Sequence, residues 1–238
     1  MSEAAVANIP DVPVDVAAAP TQEIVQATPE GRPEYEEIIF RGFFNDKDIQ
    51  PIFNMLTRIK PQPVVIFLTS DGGTTGMAVQ LTERLEALGH PVTIISELYN
   101  SSCGAFWPHM SNFVRLAYPH SVFTYHFGIV RLTGTSTNEL ENQQRYLDVM
   151  NANFVDTVRE KIGLSKKEFK KYHGTDHILF GFDALEIGEN GMVDGLILKD
   201  YRDGTYLCKT RGGNKIIDVT KHRREDIAGL PVVVDSVV

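Results

Sequence analysis

The run Val64-Val65-Ile66-Phe67-Leu68 constrains the fold more than any other segment. It is apolar without interruption and of strand length, which predicts a strand buried on both faces rather than one with a wet side. Asp71-Gly72-Gly73 follows and reads as a tight turn. Met77, Leu81, Leu85 and Leu88 then recur at helical spacing up to Gly89, a helix stop. Pro91 to Ile95 reads as the next strand. Strand, helix and strand with short links form a βαβ unit, the mark of an α/β protein with a parallel sheet. Upstream, Glu37 to Phe40 reads as a strand and Lys47 to Ile59 as an amphipathic helix.

The same logic continues downstream. A short helix is expected from Gly104 through Phe113, then strands at Val114–Ala117 and Val122–Tyr125. Ser136-Thr137-Asn138-Glu139 fits a capping box. Beyond it Leu140, Leu147, Met150, Phe154, Val158 and Ile162 recur every three, four or seven residues. They predict one helix at about 138–162, roughly 36 Å long at ~1.5 Å per residue, enough to project from a domain. Ser165–Glu168 opens a short helix, Ala184–Ile187 forms a helical turn, and Met192–Leu198 reads as a strand. Asp203-Gly204 and Gly212-Gly213-Asn214 are hairpin signals between β-prone runs, so residues 200–238 read as a small β-meander.

Charge separates the N-terminus from the rest. Residues 1–37 carry eight acids and one base, while the whole chain is at −8, so the remainder is near neutral. Pro10, Pro13, Pro20, Pro29 and Pro33 interrupt every candidate element there, and residues 1–36 read as a disordered acidic arm. A near-neutral body gives no electrostatic footprint for nucleic acid. Nothing approaches the ~18 apolar residues of a membrane span, and no secretory signal is visible. With two cysteines, Cys103 and Cys208, a disulfide framework is not expected and a reducing, cytoplasmic setting is. No histidine pair stands at metal-ligand spacing with a cysteine, so neither a metal nor a cofactor is expected.

Three places can carry chemistry. Ser70-Asp71-Gly72-Gly73 lets backbone amides approach a ligand without an intervening Cβ. It lacks the lysine and spacing of a P-loop, and alone it is as well read as a plain turn. Asn100-Ser101-Ser102-Cys103-Gly104-Ala105 lies between a strand and a helix. Alone it reads as a serine-rich N-cap, and Asn100 stands where the hydrolase elbow G-x-S-x-G needs its first glycine. His126 ends the strand Val122–Tyr125 and alone reads as structural.

Together these places resemble the proteolytic subunit of the Clp protease, within the crotonase-like fold class. That family carries a Pro-Gly-Gly turn after a buried strand; here it is Asp71-Gly72-Gly73. Its nucleophile segment Ala-Ser-Met-Gly-Ala has Ser101-Ser102-Cys103-Gly104-Ala105 as counterpart. Its Pro-Asn-Ser segment before the histidine strand corresponds to Pro119-His120-Ser121, then His126. Its aspartate precedes Ala-x-Glu-x-Gly and Val-Asp; here Asp176 precedes Ala184-Leu185-Glu186-Ile187-Gly188 and Val193-Asp194. The match spans about residues 37–198 and divides the chain into an arm at 1–36, a peptidase domain at 37–199 and an extension at 200–238.

The resemblance implies repeated ββα units with a projecting handle helix at about 138–162. It implies a serine endopeptidase with Ser102 as nucleophile, His126 as base and Asp176 as its orienting acid. The backbone N–H groups of Gly73 and Cys103 would form the oxyanion hole. It further implies stacked heptameric rings of this chain around a closed chamber that admits unfolded polypeptides. An AAA+ unfoldase would feed that chamber and be the sole consumer of ATP. Cys103 stands where the family has methionine, Asp71 where it has proline, and the arm does not look like the family's N-terminal loops. A crotonase-type acyl-CoA hydratase or isomerase, a phage-type maturation protease without an ATPase, and a non-enzymatic scaffold subunit are the competing readings.

Overall fold

The computed structural model describes residues 35–125, 136–173 and 177–233, all within one compact unit that spans Pro33–Val238. The expected acidic arm falls, up to residue 34, outside the described residues. So do His126 and Asp176.

Five parallel strands carry the fold: β1 (Glu36–Phe44), β2 (Val64–Gly73), β3 (Val92–Ser101), β4 (Val114–Ala117) and β7 (Gly195–Asp200). The chain enters this sheet through helices α1 (Asp46–Leu56) and α2 (Thr75–Glu86). Val64, Ile66 and Leu68 of β2 join the core beneath these helices, with Ile38, Phe40, Ile52, Leu81 and Leu85. Val65 points the other way and joins Ile95, Val114 and Leu116 under the C-terminal strands. The apolar run of β2 is thus continuous because both of its faces are covered.

After β7 the chain turns back twice, as β8 (Thr205–Thr210) and β9 (Gly213–Asp218), both antiparallel. The expected meander is present, and it extends the main sheet. Tyr206, Cys208, Ile217, Val219 and Ile227 from this segment supply about half of the second core, so it closes the sheet's other face.

Strand β3 forks. Its residues Thr93–Ser96 pair with β4, whereas Tyr99–Ser101 pair with β5 (Val122–Tyr125). Ser121 sits in the fork, fully buried. Its Oγ accepts the N–H of Tyr118 at 3.1 Å and shares its proton between the carbonyls of Ser96 and Glu97, at 2.7 and 2.6 Å. It thereby adds side-chain bonds to the backbone groups at the point where the two strands diverge. Antiparallel to β5 runs β6 (His177–Phe180), with Tyr125 opposite His177.

The long helix is α4 (Thr137–Ile162), begun by Ser136, whose Oγ accepts the N–H of Glu139 at 3.2 Å. Val158 and Ile162 near its C-terminus are buried with Phe169 of α5 (Lys166–His173) and Ala184 and Leu185 of α6 (Gly181–Glu186). Its first residues are exposed, and Val149 in mid-helix is 53% exposed. Leu147, Met150 and Phe154 of the expected apolar stripe have side chains outside the described residues.

Three sequence expectations shift. Asp71-Gly72-Gly73 is the end of β2, where Gly72 and Gly73 pair with Phe43 and Phe44 across a register shift. The helix expected through Phe113 is one turn, α3 (Cys103–Phe106), followed by a 3-10 turn at Trp107–His109 that accommodates Pro108. The strand expected from Met192 begins at Gly195, because the N–H groups of Met192 and Val193 both go to Ala184 O, at 2.7 and 3.4 Å, away from the sheet.

Candidate active site

Ser102 sits between β3 and α3 with φ 51° and ψ −124°. A non-glycine residue held there costs about 1–3 kcal/mol and persists only where its surroundings impose it. Here they do: the Ser102 N–H donates to Thr124 O of β5 at 2.9 Å, and its carbonyl accepts from Ala105 and Phe106 in the first turn of α3. The side chain stands on a sharp strand-to-helix elbow and is half-buried, between solvent and core. This is the conformation of a nucleophile elbow with Asn100 in place of its first glycine and Gly104 as its second.

The end of β2 leans on this elbow. A Cβ added to Gly72 would lie 2.7 Å from Ser102 Cβ, 3.0 Å from Ser101 O and 3.1 Å from the Cys103 amide nitrogen. Any side chain at 72 would collide with the serine and cover that amide. Gly72 has φ 104° and Gly73 φ 134°, which L-residues rarely adopt. A Cβ at Gly73 would strike the backbone of Phe44 at 2.6 Å. Both glycines are therefore demanded by conformation and by space.

Cys103, beside Ser102, is 2% exposed, and burial pushes its thiol up to about 12. It stays a neutral thiol, with Sγ 3.9 Å from Thr74 O, which argues against a cysteine nucleophile. Asn100, fully buried at the end of β3, donates through Nδ2 to Leu68 O at 3.3 Å where the β2–β3 register shifts. Its Oδ1 has no partner among the described residues.

A second polar cluster lies behind the elbow. Asp194 accepts from Arg115 Nη2 at 2.6 Å, Arg115 Nε at 3.1 Å, the Arg115 amide at 2.9 Å and Arg224 Nε at 3.0 Å. Burial opposes its charge, but the two guanidinium groups outweigh burial and hold it below the ordinary carboxylate range. Arg115 Nη1 donates to His109 Nδ1 at 2.6 Å. Complete burial first, and then Arg115, Arg224 and Lys161, hold His109 well below the usual imidazole range, as a neutral acceptor. The turn that follows α3 is thus tied to β4, to the loop before β7 and to the C-terminal segment. Val193-Asp194 does not disclose this network in the sequence, because the partners of Asp194, Arg115 and Arg224, lie far from it along the chain.

Of the five expected site residues, Ser102 and Cys103 share the elbow, Gly73 follows the Gly72 that touches it, and His126 and Asp176 lie outside the described residues. Among the described residues no group of three histidines, cysteines or carboxylates is placed to hold a metal, and no helix is long and apolar enough to cross a membrane.

A parallel sheet with a strained serine elbow, flanked by a glycine pair from the neighbouring strand, defines an α/β fold of the Clp-protease kind. The family model described as Clp protease matches residues 36–200, well over half of the chain. The chain belongs to the Clp protease family, a family of serine peptidases. Compared with curated proteins, it has no significant match.

Proposed function

We propose that this chain is a serine endopeptidase in which Ser102 attacks the scissile carbonyl, His126 takes its proton and Asp176 orients the imidazole. The observation that carries the reading is the Ser102 elbow, with Gly72 clearing the space above the Cys103 amide. A serine hydroxyl is a poor nucleophile until a base removes its proton, so the base must lie close by. Chain continuity supports His126 and Asp176 in that role. Tyr125 and His177 are paired, and each candidate is one residue, about 3.8 Å of chain, beyond that pair. The same end of β5 holds the Ser102 amide through Thr124 O.

His126 would donate the proton on to the leaving amine, and Asp176 would stabilise the imidazolium formed in between. The oxyanion would be met by the amides of Gly73 and Cys103. Thr74 gives its N–H to Phe44 O on β1 at 2.8 Å. Gly73 directly follows Gly72, whose place against Ser102 and the Cys103 amide keeps the Gly73 amide close to the elbow. Each such donor is worth about 3 kcal/mol in the transition state. No cofactor or metal takes part in this chemistry.

The family suggests the remaining assignments. Copies of this chain form stacked heptameric rings, with α4 as the handle that packs between them. An AAA+ unfoldase delivers unfolded polypeptides and alone consumes ATP. Two free, buried cysteines suit a reducing compartment such as the cytoplasm. A crotonase-type hydratase would have no need of a strained serine, and a maturation protease would cleave its target without ATP.

Turnover of an unstructured fluorogenic peptide tests the reading. Ser102→Ala and His126→Ala should each lower kcat by more than about 10⁴-fold, and Asp176→Ala by about 10⁴-fold. Undiminished turnover in Ser102→Ala, or hydration of an enoyl-CoA by the wild type, would refute it.

A further inference from the structure

We propose that Ser70 is a positioning residue for the oxyanion donors, an inference that rests on the serine-peptidase reading above. Ser70 is 2% exposed and lies on β2 where the ladder to β3 shifts register. Its Oγ accepts the N–H of Gly72 at 3.1 Å. That bond has two consequences. It gives the Gly72 amide a buried partner. It also fixes Gly72 at φ 104°, the turn of the backbone that leads into Gly73.

Ser70 touches the other donor segment as well. A Cβ added to Gly104 would lie 2.8 Å from Ser70 Cβ and 3.1 Å from Ser70 Oγ. Gly104 follows Cys103 in the first turn of α3, so this turn is seated directly on the Ser70 side chain. One small, buried hydroxyl therefore braces β2 against α3 at the point where their amides converge. Oxyanion donors act by being fixed in advance of the reaction, and a loosened donor loses much of its effect. Ser70 need never touch substrate to control the rate.

The test compares Ser70→Ala with Thr69→Ala, the adjacent residue, whose buried Oγ1 has no partner among the described residues. Three quantities are read on the assembled protein: kcat and KM for a peptide substrate, the inhibition constant of a peptide boronic acid, and the thermal midpoint. Rates are normalised to the endpoint of fluorophosphonate labelling, so that unfolded protein is not counted. Ser70→Ala should lose roughly 10- to 100-fold in kcat, with KM within about twofold. Boronate affinity should weaken by a similar factor, because the tetrahedral adduct uses the same donors. Thr69→Ala should keep wild-type kcat.

A Ser70→Ala protein with wild-type kcat and boronate affinity would overturn the inference. So would a loss of kcat per labelled site with unchanged boronate affinity, which a merely structural role would give. Wild-type protein that neither turns over peptide nor labels at Ser102 would instead overturn the peptidase reading itself, and this inference with it.

Discussion

At the scale of single residues, the site is built by exclusion as much as by contact. Gly72 matters because nothing larger fits above the Cys103 amide, and Ser102 holds a backbone conformation its own type disfavours. Such strain persists only because Thr124 O and α3 impose it. His109 shows the same dependence on surroundings. Its imidazole is buried beside Arg115 and Arg224, with Lys161 also contributing positive charge. Its pKa in the folded state lies well below 6.5. Above about pH 6.5 neither the folded nor the unfolded state binds the proton, and the histidine's contribution to stability is complete. Below that pH the unfolded chain takes up a proton that the fold refuses, so stability falls as the pH drops towards the folded pKa. Asp194, whose pKa is lowered from 3.8, adds a further loss in stronger acid as it approaches protonation. Denaturation midpoints measured between about pH 7.5 and 5 should therefore decline, and His109→Gln should flatten that decline. An unchanged slope in the variant would remove His109 as its source.

At the scale of elements, the C-terminal hairpin is part of the core. Ile217 on β9 is fully buried against residues of β2, β3 and β4. Ile217→Ala should cost about 2–5 kcal/mol per subunit, read by urea denaturation through Trp107, the sole tryptophan, which is buried between Phe44 and Phe113. A loss under about 1 kcal/mol would make the hairpin a loose appendage. The βαβ unit, the long helix and the hairpin turns were legible in the sequence because periodicity and turn chemistry are local signals. The path of β2 through Gly72 and Gly73 was not. Asp-Gly-Gly reads as a turn unless a neighbouring strand, here β1, is present to pair with it. The early start expected for β7 failed for a similar reason, since Met192 and Val193 spend their amides on Ala184.

At the scale of the whole molecule, two faces of one parallel sheet are closed by different means: helices α1 and α2 on one side, the chain's own C-terminal strands on the other. The family match ends at residue 200, while the second core draws on residues up to Ile227. The body that bears Ser102 therefore depends on residues beyond the matched segment, and Arg224 joins the two through Asp194. The elbow itself was legible only as a resemblance. Asn100-Ser101-Ser102-Cys103-Gly104 lacks the first glycine that advertises a nucleophile, and Thr124 O, which imposes its shape, lies 22 residues further along the chain. The long helix was legible in length, because its apolar spacing and its capping serine are local signals. The most direct measurement of the central claim is mass mapping of the site labelled by a fluorophosphonate. The account predicts one adduct per subunit, on Ser102, formed far more slowly once His126 is replaced by alanine. An adduct on another residue, or no adduct on folded protein that cleaves peptide, would contradict it.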